Sequence, residues 1–595
     1  MGTFQLVIKQ MRQRALGTWL TLLSVLLGVA LAIAILLLRD AGAALFGQTE
    51  YGYDVILGVA QGSPTQLVMN TVYHIDRSPG NMPYWVYEQA NTQTRPPRGS
   101  KEFDFHQHVK LAVPIAVGDT YQGRPIVGTL PKMFVSLAPL KQQTDDLMQQ
   151  LLALRSQTQQ ARPGQIPADL AQREDALASG AEAVKQQVIQ TSRDGIPIVE
   201  PLPSDGGAPK WKYGNPASQS CEDAAGELKA AAQSIQAGKF SEAVAHQDKA
   251  YDLLRSVYAA VGAASGPLEY LPDHTFEIKE GRYFQAWKFE AVIGSEVAQK
   301  TGLKVGSQFK ATHGMPAPGT TPDIHPEDWT VVGVLKPTHT AADRCLYIPL
   351  MTFYSIAEHD VGLQAQAQAR AGQSTAVQSD DKPKFSRVYG DQLLPDLPHT
   401  QDFISLDVPP AQWEVSAILI QSRGDVLGQD LLYFVANGGI PDVQAVNPAR
   451  IMREFFETFL GPSALILLLI SLLVSIVAGV GILVSIYNSV AARTREIAIL
   501  RALGATRGRV LTLICAEAGL IGLCGAIVGL LVGHGIGGIA SVYLNNSIGQ
   551  GFNWFTARSG EWVYIGIVVV IALLAGLVPA MKAYRTPVAT NLVAA

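Results

Sequence analysis

The sequence predicts an integral membrane α-helical protein: four transmembrane helices, both termini inside, and a large α+β extracytoplasmic domain carrying a helical insertion. Three observations predict it. Four runs are apolar enough to cross a bilayer, basic residues gather at alternate ends of those runs, and one long segment of mixed composition, residues 40–455, separates the first run from the second.

Residues 15–38 ("ALGTWLTLLSVLLGVALAIAILLL") hold no charged side chain, and 459–487, 510–538 and 562–581 are nearly as apolar. A hydrocarbon core about 30 Å thick needs roughly 20 helical residues, so each run is long enough to span. "AGAAL" at 41–45 offers the small residues of a cleavage site. The apolar run before it exceeds the roughly 7–15 residues of a signal-peptide core, so the first run is expected to stay as a membrane helix.

Lys9, Arg12 and Arg14 precede the first run, five arginines lie between the second and third, and Lys582 and Arg585 follow the fourth. The positive-inside rule puts those three regions in the cytoplasm. Residues 40–455 and a short loop around 540–560 then lie outside. In the first 14 residues Phe4, Val7, Ile8 and Met11 recur at helical spacing with the basic residues between them. That suits an amphipathic helix in the inner headgroup layer; a basic flank that only sets topology is the alternative.

"AARTREIAILRALGATRGRV" (491–510) carries Arg493, Arg495, Arg501, Arg507 and Arg509 around the single acid Glu496. Ala498, Ile499, Ala502 and Leu503 supply a small apolar face, and Gly504 can cap the helix. The spacing predicts a short cytoplasmic helix, 491–505, held between two spans. As a lipid anchor it would gain about 1 kcal/mol per basic residue. A lone acid among arginines fits better with charged contacts to a protein.

In the outer region, "LAVPIAV", "EAVIGS" and "WTVVGVL" read as strands punctuated by Gly and Pro turns. Residues 138–266 differ, being rich in Ala, Gln, Lys and Glu. There Leu147, Leu151 and Leu154, and Leu177, Ala181, Val184 and Val188, follow helical spacing, and 221–254 reads as a helical hairpin turning at Gly238. The segment is expected to be a helical insertion, either reaching an outer partner or acting as a spacer. Residues 363–384 read as a loop.

Candidate chemistry is sparse. His106 and His108 alternate on an extended stretch, and His313 and His325 flank a Pro/Gly-rich loop with Asp323, Glu327 and Asp328. Imidazole and carboxylate suit zinc, but no tight ligand spacing supports a site, and no metal is assigned. Glu517 within the third span is costly in lipid and a functional candidate. The glycines at 525, 529, 533, 535, 537 and 538 are expected to let helices pack closely. Cys515 and Cys524 lie within the third span; whether Cys221 pairs with Cys345 is left open. The sequence has no G-x-x-x-x-G-K-[ST] phosphate loop, G-x-S-x-G elbow or H-E-x-x-H motif, so no catalysis is expected of this chain.

"TREIAILRALGATRGRV" and the closing "GLVPAMKAYRTPVATNL" (576–592), with Pro579 near the end of the last span, resemble the signature of FtsX/MacB-type ABC-transporter permeases. The resemblance covers 455–595 and extends to "GYDVILGVAQGSPTQLVMNTVYHIDRSPGNMPY", "VPIAVGDTYQGRPIVGTL", "FEAVIGSEVAQKTGLKVGSQF" and "WTVVGVLKPT" in the outer region. It implies a MacB-like core domain at 40–137 and 267–455 and an FtsX-like permease domain at 459–595. It implies that 491–505 is a coupling helix, with Arg493, Arg495, Glu496, Arg501 and Gly504 meeting a separate cytoplasmic ATPase that binds ATP and magnesium. A homodimer in the bacterial inner membrane, with its large domain in the periplasm, is the expected assembly. No nucleic-acid partner is expected. Two functions stay open: ATP-driven export or extraction of a lipid, lipoprotein, peptide or drug, with a periplasmic adaptor or other outer partner reached through 138–266, and mechanotransmission without transport to an outer partner such as a cell-wall hydrolase. The large, split outer domain favours transport.

Overall fold

A computed structural model describes residues 15–46, 52–74, 78–91, 108–162, 169–200, 215–314, 323–356, 385–406, 413–424, 433, 440, 442–548 and 554–585. The expected helix at 1–14, His106, the 363–384 loop and the end of the closing motif beyond 585 lie outside these residues. The chain forms two compact units, one joining its N-terminal 48 residues to Met452–Ala595, the other Thr49–Ile451.

The larger unit is built on one mixed ten-stranded sheet. Its strands are β1 (Val55–Val59), β2 (Val109–Tyr121), β3 (Arg124–Thr129), β4 (Ile278–Gly281), β5 (Glu290–Ile293), β6 (Gln308–Phe309), β7 (Trp329–Leu335), β8 (Leu346–Pro349), β9 (Ala417–Ser422) and β10 (Val443–Val446). The order across the sheet is β10-β1-β9-β2-β3-β8-β5-β7-β4, with β6 also on β7. Pairs β3–β8 and β5–β7 are parallel and the rest antiparallel. "VILGV" is an unbroken apolar run and "AILIQS" opens with one, and β1 and β9 are buried along their whole length. Trp287, Trp329, Phe284 and Phe403 fill the core, and the Trp329 indole donates to Thr352 Oγ1 at 3.2 Å.

Between β3 and β4 the chain builds four helices: α2 (Ala138–Gln160), α3 (Leu170–Arg193), α4 (Ala217–Gln236) and α5 (Phe240–Ala264). Leu147, Leu151, Leu154, Leu177, Ala181, Val184 and Val188 are all buried in them. Gly238, at φ +72°, makes the turn between α4 and α5. Outgoing and returning chain run side by side beneath the bundle: Leu268 N–H donates to the Met133 carbonyl at 3.0 Å and Gly266 N–H to Val135 at 2.8 Å. Cys221 is buried in the bundle and Cys345 beside the sheet; both are free, and burial pushes each thiol up to about 12.

The smaller unit contains four long helices joined by one short one: α1 (Ala15–Phe46), α6 (Gly461–Ala492), α7 (Thr494–Ala502), α8 (Arg507–Ile548) and α9 (Ser559–Arg585). The four long ones have the length and apolarity to cross a membrane. All extend past the apolar runs at 15–38, 459–487, 510–538 and 562–581, because backbone hydrogen bonding continues after the side chains turn polar. A turn of π-helix, Phe456–Leu460, leads into α6. The glycine expectation holds at four of six positions. Gly525, Gly529, Gly533 and Gly537 face Val25, Val29, Ile33 and Leu37 of α1, whereas no described residue lies near Gly535 and Gly538 faces Trp554.

Candidate functional site

The stretch expected as one helix over 491–505 is divided. Helix α6 continues through Ala492, Arg493 forms the joint at φ −112°, ψ 20°, and α7 begins at Thr494. The Thr494 hydroxyl donates back to the Ala491 carbonyl at 2.7 Å, tying the joint to the end of α6. At the other end Gly504 N–H donates to the Arg501 carbonyl at 3.1 Å and Ala505 N–H to Leu500 at 3.0 Å. These two bonds and Gly504 at φ +96° make a Schellman cap. Thr506 then caps α8, its hydroxyl accepting from Arg509 N–H at 3.3 Å.

Within α7 only Ala498 is buried. Arg495, Glu496, Ile499, Leu500 and Leu503 are exposed, Leu503 at 81%, and Arg493 and Arg501 are half-buried. The short helix therefore presents an acid, arginines and three large apolar side chains together on its open side. Aromatic rings flank it on the neighbouring long helices. Lys582 lies over the Tyr487 ring at 4.0 Å and donates to its hydroxyl, and Arg507 lies over Tyr584 at 5.6 Å. Such cation–tyrosine pairs suit a membrane–water boundary.

Glu517 lies ten residues into α8, about 15 Å along its axis from Arg507, and is 9% exposed with its side turned into the bundle. Its neighbour Ala518 packs so closely on Gly576 of α9 that a methyl group on that glycine would stand 2.4 Å from the alanine Cβ.

Several polar groups that the sequence reading passed over meet in this bundle. The Tyr564 hydroxyl lies 3.1 Å from Ser471 Oγ and 3.0 Å from Ser475 Oγ, all three buried. Asp40 pairs with Arg558 at 2.8 Å. His534 Nδ1 lies 2.5 Å from the Trp554 carbonyl and Nε2 lies 2.9 Å from Glu561, a carboxylate only 1% exposed. The signal was available: Asp40, Arg558 and Glu561 are charges standing at the margins of apolar runs.

The histidines of the larger unit assort differently from the sequence reading. Asp328 lies 3.9 Å from Lys310, and Asp323 touches His313 through its backbone carbonyl. The carboxylate that joins His313 and His325 is Asp119, from β2. It lies roughly two hundred residues earlier in the chain, beyond the reach of any local spacing pattern.

Two family models match the chain: FtsX-like permease C-terminal over residues 468–588 and MacB-like periplasmic core domain over 176–382. The first takes in most of α6 and all of α7, α8 and α9. The second starts within α3 and runs through α4, α5 and β4 to β8. Among curated relatives, the macrolide export ATP-binding/permease protein MacB of Syntrophobacter fumaroxidans is 30% identical over 37% of this chain and 31% of its own. An uncharacterized ABC transporter permease of Bacillus subtilis, YknZ, is 35% identical over 18% of this chain and 26% of its own. The ABC transporter permease YtrF of the same organism is 25% identical over 21% and 31%. The chain thus spans less than a third of the length of each of these relatives. The chain is thus similar to an FtsX-like permease domain at its C-terminal side and to a MacB-like periplasmic core domain before it, and its four long apolar helices suit a membrane protein.

Proposed function

We propose that the chain is the permease subunit of an ABC transporter. It couples ATP hydrolysis by a separate cytoplasmic ATPase to movement of its extracytoplasmic domain, for export or extraction of a lipid, lipoprotein, peptide or drug. The observation that carries this reading is α7, a capped helix between two membrane-length helices, open to solvent along the side that bears Arg495, Glu496 and Leu503. A lipid anchor needs cations alone. A surface carrying both signs of charge around exposed apolar side chains suits a protein partner, because complementary charge sets register and the apolar groups supply affinity.

With α7 in the cytoplasm both termini lie inside and Thr49–Ile451 lies in the periplasm of an inner-membrane protein. ATP and magnesium belong to the partner, since the sequence holds no phosphate loop. Two copies pair through their membrane helices over two ATPases. Closure of the ATPases shifts α7, and the stiff long helices carry that bias outward, coupling two states through elements both ends contact. The four-helix bundle at 138–264 is the part that meets a periplasmic adaptor or another outer partner.

The test is to purify the full chain from its native cells in detergent and identify what accompanies it. A co-purifying ATPase with an adaptor or outer-membrane channel supports transport. An ATPase with a cell-wall hydrolase moves the chain to mechanotransmission without transport. Absence of any ATPase overturns the proposal.

A further inference from the structure

Three extended stretches lie side by side in the larger unit. Thr120, near the end of β2, exchanges backbone hydrogen bonds of 2.9 and 2.8 Å with Thr312, which in turn bridges Ile324. His313 N–H donates to the Asp323 carbonyl at 2.8 Å and His325 N–H to Ala311 at 2.9 Å. The Thr120 hydroxyl donates to the Gly314 carbonyl at 2.7 Å. This backbone ladder, rather than loop freedom, sets the positions of the neighbouring side chains Asp119, His313 and His325.

Those side chains converge. Asp119 Oδ1 lies 3.7 Å from His313 Nδ1 and 3.6 Å from His325 Nε2, and one donor atom from each residue falls within 4.8 Å of the other two. The imidazole rings stand edge to face, 88° apart with centroids 5.6 Å apart. Separations of 3.6 and 3.7 Å exceed a hydrogen bond. They approach the spacing of about 3.3 Å between neighbouring donors around a tetrahedral ion bound at about 2.0–2.1 Å. Asp119 and His325 are 1% and 3% exposed, whereas the His313 side chain is half exposed. Two donors are thus held in the interior and the third stands at an opening to solvent.

We propose that Asp119, His313 and His325 form a binding site for a divalent transition-metal ion. Two imidazoles and one carboxylate suit zinc and its first-row neighbours, whereas calcium and magnesium prefer all-oxygen shells. The charge reasoning agrees. A carboxylate taken out of water is costly, and a dication bound to it and to two neutral imidazoles offsets that cost without requiring either ring to be protonated. Three protein donors leave a fourth tetrahedral position on the His313 side, open to water or to a donor from a partner. The ion ties the end of β2 to the stretches 311–314 and 323–325, so its binding braces the sheet domain.

The test uses the full chain without a histidine tag, purified in detergent, freed of metal with a chelator and titrated calorimetrically with Zn²⁺ alone. Cobalt is the spectroscopic probe. The expected result is one equivalent of zinc per chain, the visible absorption of a tetrahedral cobalt site, and a raised unfolding temperature with zinc present. Asp119→Asn and His313→Ala should each weaken zinc binding at least tenfold, while Asp328→Asn binds as the parent does. His313 is half exposed, so its replacement leaves the core intact and decides the matter if Asp119→Asn fails to fold. No zinc uptake by the parent chain, or uptake unchanged in His313→Ala, overturns the proposal. In that outcome the three side chains are a carboxylate paired with histidines.

Discussion

Gly533 of α8 sits directly against Ile33 of α1: a methyl group on the glycine would stand 2.7 Å from the isoleucine Cβ. The relation repeats every four residues, with Gly525 on Val25, Gly529 on Val29 and Gly537 on Leu37. A period of four keeps all four glycines along one side of α8, and the large residues of α1 run in matching register. Where both helices are surrounded by apolar material, burial gives little net drive, and close packing of small on large residues holds them together.

Replacement of Gly529 or Gly533 by leucine should therefore destabilise the helix bundle, by about 1–3 kcal/mol if neighbours can shift and more if α1 is displaced. Gly535→Leu is the matched control, because no atom of the described residues would lie within 4 Å of a methyl group there. Thermal unfolding of the detergent-solubilised variants distinguishes the two cases; equal losses at 533 and 535 would refute the seam.

Gly504 ends α7 in the left-handed region, at φ +96°, with no described residue close to where a Cβ would stand. Gly504→Ala meets no steric obstacle, and its cost is backbone strain alone, about 1–2 kcal/mol. The expected outcome is a frayed α7 with little change in global unfolding, read as faster amide exchange confined to 500–505.

Charge reversal on α7 tests the docking surface. Glu496→Lys and Arg501→Glu should leave the chain in the membrane while lowering ATPase-coupled function on the order of tenfold or more. A compensating reversal on the ATPase should restore it. Normal coupling in both single variants would remove α7 from the interface.

Glu174 gives the helical bundle a pH dependence. It is buried, accepts from Gln247 at 3.0 Å, and burial raises its carboxyl to about 7. An unfolded chain releases the same proton near pH 4.3. The folded state holds the extra proton between those values, so this contribution to stability is full below about pH 4, falls as pH rises to about 7, and is level beyond. Glu174→Gln should match the parent near pH 4 and exceed it at pH 8 by up to about 4 kcal/mol. Denaturant midpoints at the two pH values check it.

The bundle's entry and exit run side by side at Met133–Val135 and Gly266–Leu268. Replacing 138–264 by a short glycine linker should therefore leave the sheet domain folded, with outer-partner binding lost. Failure of the sheet domain to fold would show that the bundle is part of its core.

What is local or periodic is legible in the chain alone. Uninterrupted apolar runs name the four membrane-length helices, because a bilayer's thickness sets a length that composition must meet. The 3.6-residue spacing of Leu147, Leu151 and Leu154 marks a helix face. Gly504 announces a cap, since only glycine takes that φ without strain. Tertiary structure decided what pairs at a distance. It divided 491–505 at Arg493, where the end of α6 and the start of α7 share one joint. It chose four of the six glycines at 525–538, because only one side of α8 meets α1. It also placed Asp119, rather than Asp323 or Asp328, beside His313 and His325. A carboxylate's partners depend on which strands the sheet brings together, and the spacing of residues along one stretch of chain carries no record of a neighbour that arrives from another strand.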